Sequence, residues 1–157
     1  MGLIARLLLN ERAKFDRICG ELQTARSFPE DVEEIRALGL ISGMFYTTRR
    51  DKVGLTMPRY LYGPDWRKGA FAPYLDPGKW ACLGDFPPSL LVTSRNDMLH
   101  QYTVDFAGAL ERSGAAYRLV DYPADKRLVH AFSAVDPDLP ESQEVLSALA
   151  DFFRQAQ

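Results

Sequence analysis

Two residues in this sequence combine an acid–base side chain with a position where one could act. Asp97 stands in Ser94-Arg95-Asn96-Asp97-Met98, just past the run SLLVTS, and His130 stands in Leu128-Val129-His130-Ala131-Phe132, past AYRLVDY. A carboxylate on one imidazole nitrogen fixes the tautomer and stabilises the protonated ring, which leaves the other nitrogen to take a proton from a nucleophile. The chemistry open to such a pair is general acid–base catalysis. Each residue alone also has a structural reading. A loop Asp ahead of a helix satisfies orphan backbone donors, and a histidine between apolar neighbours is commonly a satisfied packing residue. His100 is assigned to a helix surface, and Cys82 to packing, since no base adjoins that thiol to make it reactive.

The two loop tips need elements that bring them together. Leu3, Ile4, Leu7, Leu8, Phe15 and Ile18 recur with helical spacing against Arg6, Glu11, Arg12, Lys14 and Arg17, which predicts an amphipathic helix ending near Gly20. The stretch 35–46 (IRALGLISGMFY) is almost continuously apolar without alternation, and its first part reads as a buried parallel strand covered on both faces. From Thr47 to Pro88, prolines alternate with Tyr60, Tyr62, Trp66, Phe71, Tyr74 and Trp80. No periodicity survives there, yet so many large apolar groups argue for a packed excursion with one or two short helices, a lid or substrate-facing insertion, and against a flexible linker.

Pro87 and Pro88 then precede the strand Ser89 to Ser94, where a missing donor does least harm. Tyr102, Phe106, Ala109 and Leu110 line one face of a helix that Gly114 stops. The run 116–122 is a further strand, and Ser142 to Phe153 a final amphipathic helix. Strands alternating with helices define an α/β fold, a mostly parallel sheet with right-handed crossovers and helices on both faces. Functional groups of such a sheet gather beyond the carboxyl ends of its strands, and both Asp97 and His130 fall there.

The chain has 157 residues, with 19 Lys+Arg against 21 Asp+Glu. Counterion-releasing contact with nucleic acid needs a dense positive face, and the one basic cluster, Arg49, Arg50, Asp51 and Lys52, is interrupted by an acid and reads as a solvated turn. At 46% hydrophobic and 25% charged, the composition fits one globular domain over 1–157. Cys19 and Cys82 form no C-x-x-C pair, so neither a zinc site nor a disulfide framework is expected, and a reducing, cytoplasmic setting fits. The apolar run from Leu3 to Leu9 is too short to span a bilayer and lacks a cleavage site. Two histidines without a carboxylate pair beside them make a poor metal-ligand set, and the first strand is followed by no glycine-rich phosphate loop, so no metal and no cofactor is expected.

The order of these features resembles the carboxyl-terminal part of the α/β-hydrolases, most of all the hormone-sensitive-lipase-like esterases. Pro87-Pro88, SLLVTS, Asn96-Asp97-Met98-Leu99, Ser113-Gly114, Tyr122-Pro123 and His130-Ala131-Phe132 follow one another as do that family's Pro-Pro entry, strand, acidic loop, helix end, Tyr-Pro strand end and His-Gly-Phe loop. The resemblance runs from about Ile35 to the C-terminus. It implies a partial α/β-hydrolase sheet, a cap-like insertion over 47–80, Asp97 as triad acid and His130 as triad base. Met98 stands where the family often has proline, and Ala131 replaces the glycine after the histidine. If that position takes a positive φ, alanine carries about 1 kcal/mol of strain that could displace the imidazole.

The family's nucleophile motif G-x-S-x-G occurs nowhere in the sequence. Ser42-Gly43 and Ser113-Gly114 lack the preceding glycine, and neither serine is promoted to nucleophile. Met1-Gly2 ahead of the first helix resembles the last two positions of that motif, with the serine, the oxyanion loop and the first strands expected upstream of it. The expected function is therefore that of a carboxylic ester hydrolase of the serine type, present as its acid- and base-bearing half and inactive as an isolated chain. A small ester is its substrate once an N-terminal polypeptide completes it, and pairing of the chain with a second copy is the other way to cover its open sheet edge. The alternative is a non-catalytic α/β domain that binds a partner or itself through an open sheet edge.

Overall fold

In the computed structural model, three parallel strands, β1 (Leu38–Ile41), β2 (Ser89–Ser94) and β3 (Tyr117–Tyr122), lie in the order β1-β2-β3. The structure describes residues 35–68, 72–80 and 82–156, all within one compact unit. The predicted helix from Leu3, the Met1-Gly2 pair and Cys19 lie outside the described residues.

β2 is central, and all six of its residues are buried. Its side chains alternate between faces. Leu90 and Val92 join Leu128, Phe132 and Val145 in one core cluster, while Leu91 and Thr93 point to the other face. The first face is covered by α4 (Pro140–Gln155), which starts on a proline at its first turn. The second is covered by α2 (His100–Ser113), which packs on β2 and β3. Each fully buried Leu or Val contributes roughly 1.5–3 kcal/mol relative to exposure. Gly114, in the left-handed region at φ 78°, ends α2 as its sequence position predicts.

β1 departs from the expectation of a strand covered on both faces. It is the outer strand among the described residues, half-buried, with Gly39 exposed. That glycine nevertheless has a packing role. A Cβ there would lie 2.5 Å from Leu149 Cδ2 and 3.1 Å from Phe153 Cζ, so α4 comes as close to β1 as a bare backbone allows. Gly39→Val is accordingly expected to lower stability by about 1–3 kcal/mol, read as a shifted denaturant midpoint.

Between β1 and β2 the chain forms α1 (Lys52–Tyr62) and three short 3-10 turns, Ala72–Tyr74, Pro77–Lys79 and Leu83–Asp85. Asp51 caps α1, its Oδ1 accepting the Gly54 N–H at 2.9 Å. The Tyr102 hydroxyl donates to Asp51 Oδ2 at 2.7 Å and so fastens the start of α1 to α2. Burial, and then that carboxylate, push the Tyr102 phenol well above its usual pKa. Arg49 corrects the solvated-turn reading. Its guanidinium lies 3.8 Å over the Tyr46 ring and pairs with Asp105 of α2. The cluster around it is a seam between the insertion and α2.

Candidate active site

The three strands end at one rim, and each end contributes. After β2 the chain turns through Arg95 and Asn96 to Asp97, whose N–H donates to the Ser94 carbonyl at 3.0 Å. After β3 it runs through a turn tied by Asp125, Arg127 and Glu141 to Leu128, which is buried, and then to His130. Such exposed ion pairs contribute little, so the buried Leu128 is the firmer anchor. The short helix α3 (Phe132–Val135) follows at once, and its Phe132 is packed edge-on against Tyr122 with ring centroids 5.4 Å apart.

His130 Nδ1 lies 3.0 Å from Asp97 Oδ1. The Asp97 side chain is 1% exposed and that of His130 45%. The carboxylate is thus shielded from water while the imidazole reaches into it. Asp97 Oδ1 also accepts the Leu99 N–H at 2.8 Å, so the capping and the acid–base readings of this residue hold together in geometry: one oxygen orders the turn and faces the ring. Asp97 Oδ2 is buried without a hydrogen-bond partner among the described residues. The environment of the pair makes it suited to hold a proton on Nδ1 and to offer Nε2 as a base. Met98 and Val129, both largely exposed, flank it and give the rim an apolar border.

Ala131 adopts φ 54° and ψ 35°, the left-handed region. The strain foreseen for alanine is present, but the imidazole keeps its place beside Asp97. The Ala131 N–H donates to Ser42 Oγ at 3.0 Å, and Ser94 Oγ donates to the Leu128 carbonyl. Ser42, itself at φ 50°, closes β1 as Ser94 closes β2. From the sequence, Ser42 is weighed only as a nucleophile and declined, and neither hydroxyl is given a structural role. The available signal was a serine at the end of each of two apolar runs, LGLIS and LLVTS. Ala131→Gly is expected to raise stability by up to about 1 kcal/mol, because glycine enters this region without the Cβ penalty; thermal unfolding checks it.

His100 was assigned to a helix surface, yet its Nε2 lies 3.0 Å from Asp121 Oδ1, joining the first residue of α2 to β3. It is a second imidazole–carboxylate pair, separate from the first. Cys82 is buried and unbridged. Among the described residues no group of three His, Cys, Asp or Glu is placed to hold a metal ion, and no helix is long and apolar enough to cross a membrane.

The sheet with its covering helices is part of an α/β-hydrolase fold. Solved structures similar to it include esterase B from Lactobacillus Rhamnosis (18% identity, TM-score 0.65, 77% of this chain and 40% of that one). Others are an esterase/lipase from an uncultured bacterium (20%, 0.62, 80% and 44%) and carboxyl esterase 2 from the mycorrhizal fungus Tuber melanosporum (17%, 0.66, 88% and 48%). The chain therefore spans less than half the length of these relatives in fold. No family model matches the sequence, and no curated protein matches it.

Proposed function

We propose that this chain carries the acid and base of a serine-type carboxylic ester hydrolase of the hormone-sensitive-lipase-like group, with Asp97 orienting His130 and His130 Nε2 as the base. The reading rests on one observation above all: a buried carboxylate 3.0 Å from Nδ1 of a histidine whose side chain is 45% exposed, beyond the carboxyl ends of parallel strands. In the reaction, Nε2 would take the proton of a serine hydroxyl as it attacks the ester carbonyl, and return it to the departing alcohol. Water would then release the acid by the same route. Asp97 faces the imidazolium formed in each step.

The sequence supplies no G-x-S-x-G, and Ser42 is not a substitute: it is buried, and its Oγ is engaged by the Ala131 amide. The nucleophile and oxyanion donors would come from a further polypeptide segment bearing that turn, beside β1. Residues 47–80 would form the cap-like insertion over the site. The test is hydrolysis of a short p-nitrophenyl ester, with and without the amino-terminal half of an esterase of this fold, added in trans or fused upstream. Background rates alone and turnover in the assembled protein are expected. Two results would overturn the reading: isolated-chain hydrolysis that persists when Asp97 and His130 are both replaced, or no turnover from a complex whose assembly is verified by size.

A second reading, a domain that docks a partner or second copy through its sheet edge, draws on the outer position of β1 among the described residues. A monodisperse monomer that binds no hydrophobic dye counts against it.

A further inference from the structure

His130 is held with little help from its own surroundings. Its side chain is 45% exposed, and one bond to Asp97 is its only polar contact among the described residues. The backbone on either side is another matter. Two positions before it, the Leu128 carbonyl accepts from Ser94 Oγ. One position after it, the Ala131 N–H donates to Ser42 Oγ at 3.0 Å. Ser94 is fully buried and Ser42 only 5% exposed, so water does not compete for either bond. Ser94 Oγ also accepts the Asn96 N–H at 3.3 Å, which ties the loop of Asp97 to the loop of His130 through one oxygen.

We propose that Ser42 and Ser94 are positioning residues for His130, a two-point clamp from the ends of β1 and β2 that sets the Cα–Cβ direction of the histidine and thereby its bond to Asp97. Ser42 has the further task of holding Ala131 in a left-handed conformation that alanine does not favour. Without that bond, Ala131 relaxes toward negative φ and the ring swings off the carboxylate. The proposal rests on the reading of His130 as the base, but its test uses neither ester nor complementing chain, so each can fail without the other.

The chain contains two histidines, and His100, bound to Asp121, provides an internal reference. In the full chain labelled with 15N at histidine, the neutral His130 ring is expected to carry its proton on Nδ1 and leave Nε2 bare. S42A and S94A should each lose this single-tautomer signature at His130 while His100 stays unchanged. S94T, which restores the hydroxyl, should recover it, and so should S42A/A131G, where glycine accepts the left-handed conformation unaided. A purely structural role would lower the melting temperature and leave the His130 signature of the folded protein intact. Should S42A fail to fold, S94A carries the test, with S94T as its control. A wild-type His130 signature in S94A, and in S42A where it folds, overturns the clamp, as does an S42A/A131G protein that folds without the signature.

Discussion

Replacing His130 with alanine in the complemented protein is expected to reduce kcat for ester hydrolysis on the order of 10⁶-fold, with KM little changed. Nε2 has no substitute: His100 is the other imidazole, and it is bound to Asp121 on β3. Asp97→Asn is expected to cost less, on the order of 10⁴-fold. The Leu99 N–H at 2.8 Å keeps an oxygen at the Oδ1 position, so the turn survives and the amide still faces the ring. What disappears is the negative charge, and with it the stabilisation of the imidazolium. The amide nitrogen would then occupy the site of Oδ2, which is buried and without a partner among the described residues, and stability should fall by about 1–3 kcal/mol as well. Steady-state kinetics across ester concentrations separate these effects. A His130→Ala enzyme within tenfold of the parent would remove His130 from the chemistry.

The second large effect lies away from the rim. Phe106→Ala is expected to lower unfolding free energy by about 3–5 kcal/mol, against a typical total of about 5–15 kcal/mol for a domain. Phe106 is 1% exposed. Its ring stacks on Phe45 at 4.2 Å and meets Phe86 edge-on at 5.7 Å and Trp80 at 6.4 Å. One side chain of α2 thus gathers residues from both ends of the insertion, and its removal leaves three rings facing a cavity. The insertion should loosen before the sheet does, which would appear in denaturant titration as a reduced slope together with an earlier midpoint. A loss below about 1 kcal/mol at unchanged slope would mean that the insertion is held by other contacts.

The parts of this molecule that were legible in its sequence are those governed by neighbours in the chain. Ser89 to Ser94 announced a strand through entry prolines and β-branched residues, and β2 has those bounds. Gly114 stops α2 because a left-handed residue ends a helix wherever it falls. Asp97 and His130 could be singled out because each follows a strand, and parallel strands carry their loops to one rim. What was not legible depends on distant partners. Arg49 looked solvated because Asp105 lies 56 positions away, and the bond between Ser42 and Ala131 joins residues 89 positions apart. The outer position of β1 followed from the resemblance, which puts the first strands of the sheet upstream, and not from the run itself. An apolar run reads the same whether one neighbouring strand or two flank it, since side-chain pattern reports on faces and not on edges.

The contact between Asp97 and His130 is made wholly within the stretch from β2 to α3, one strand–helix–strand unit and the turns that follow it. Such a unit closes with short-range topology and brings the two loops to one rim, while Ser42 from the end of β1 holds the backbone beside His130. On the function proposed above, proton handling would be preassembled within this unit and the nucleophile supplied by a further segment. Were the nucleophile of the proposed function carried on a separate chain, turnover would follow mass action and respond to the abundance of either piece.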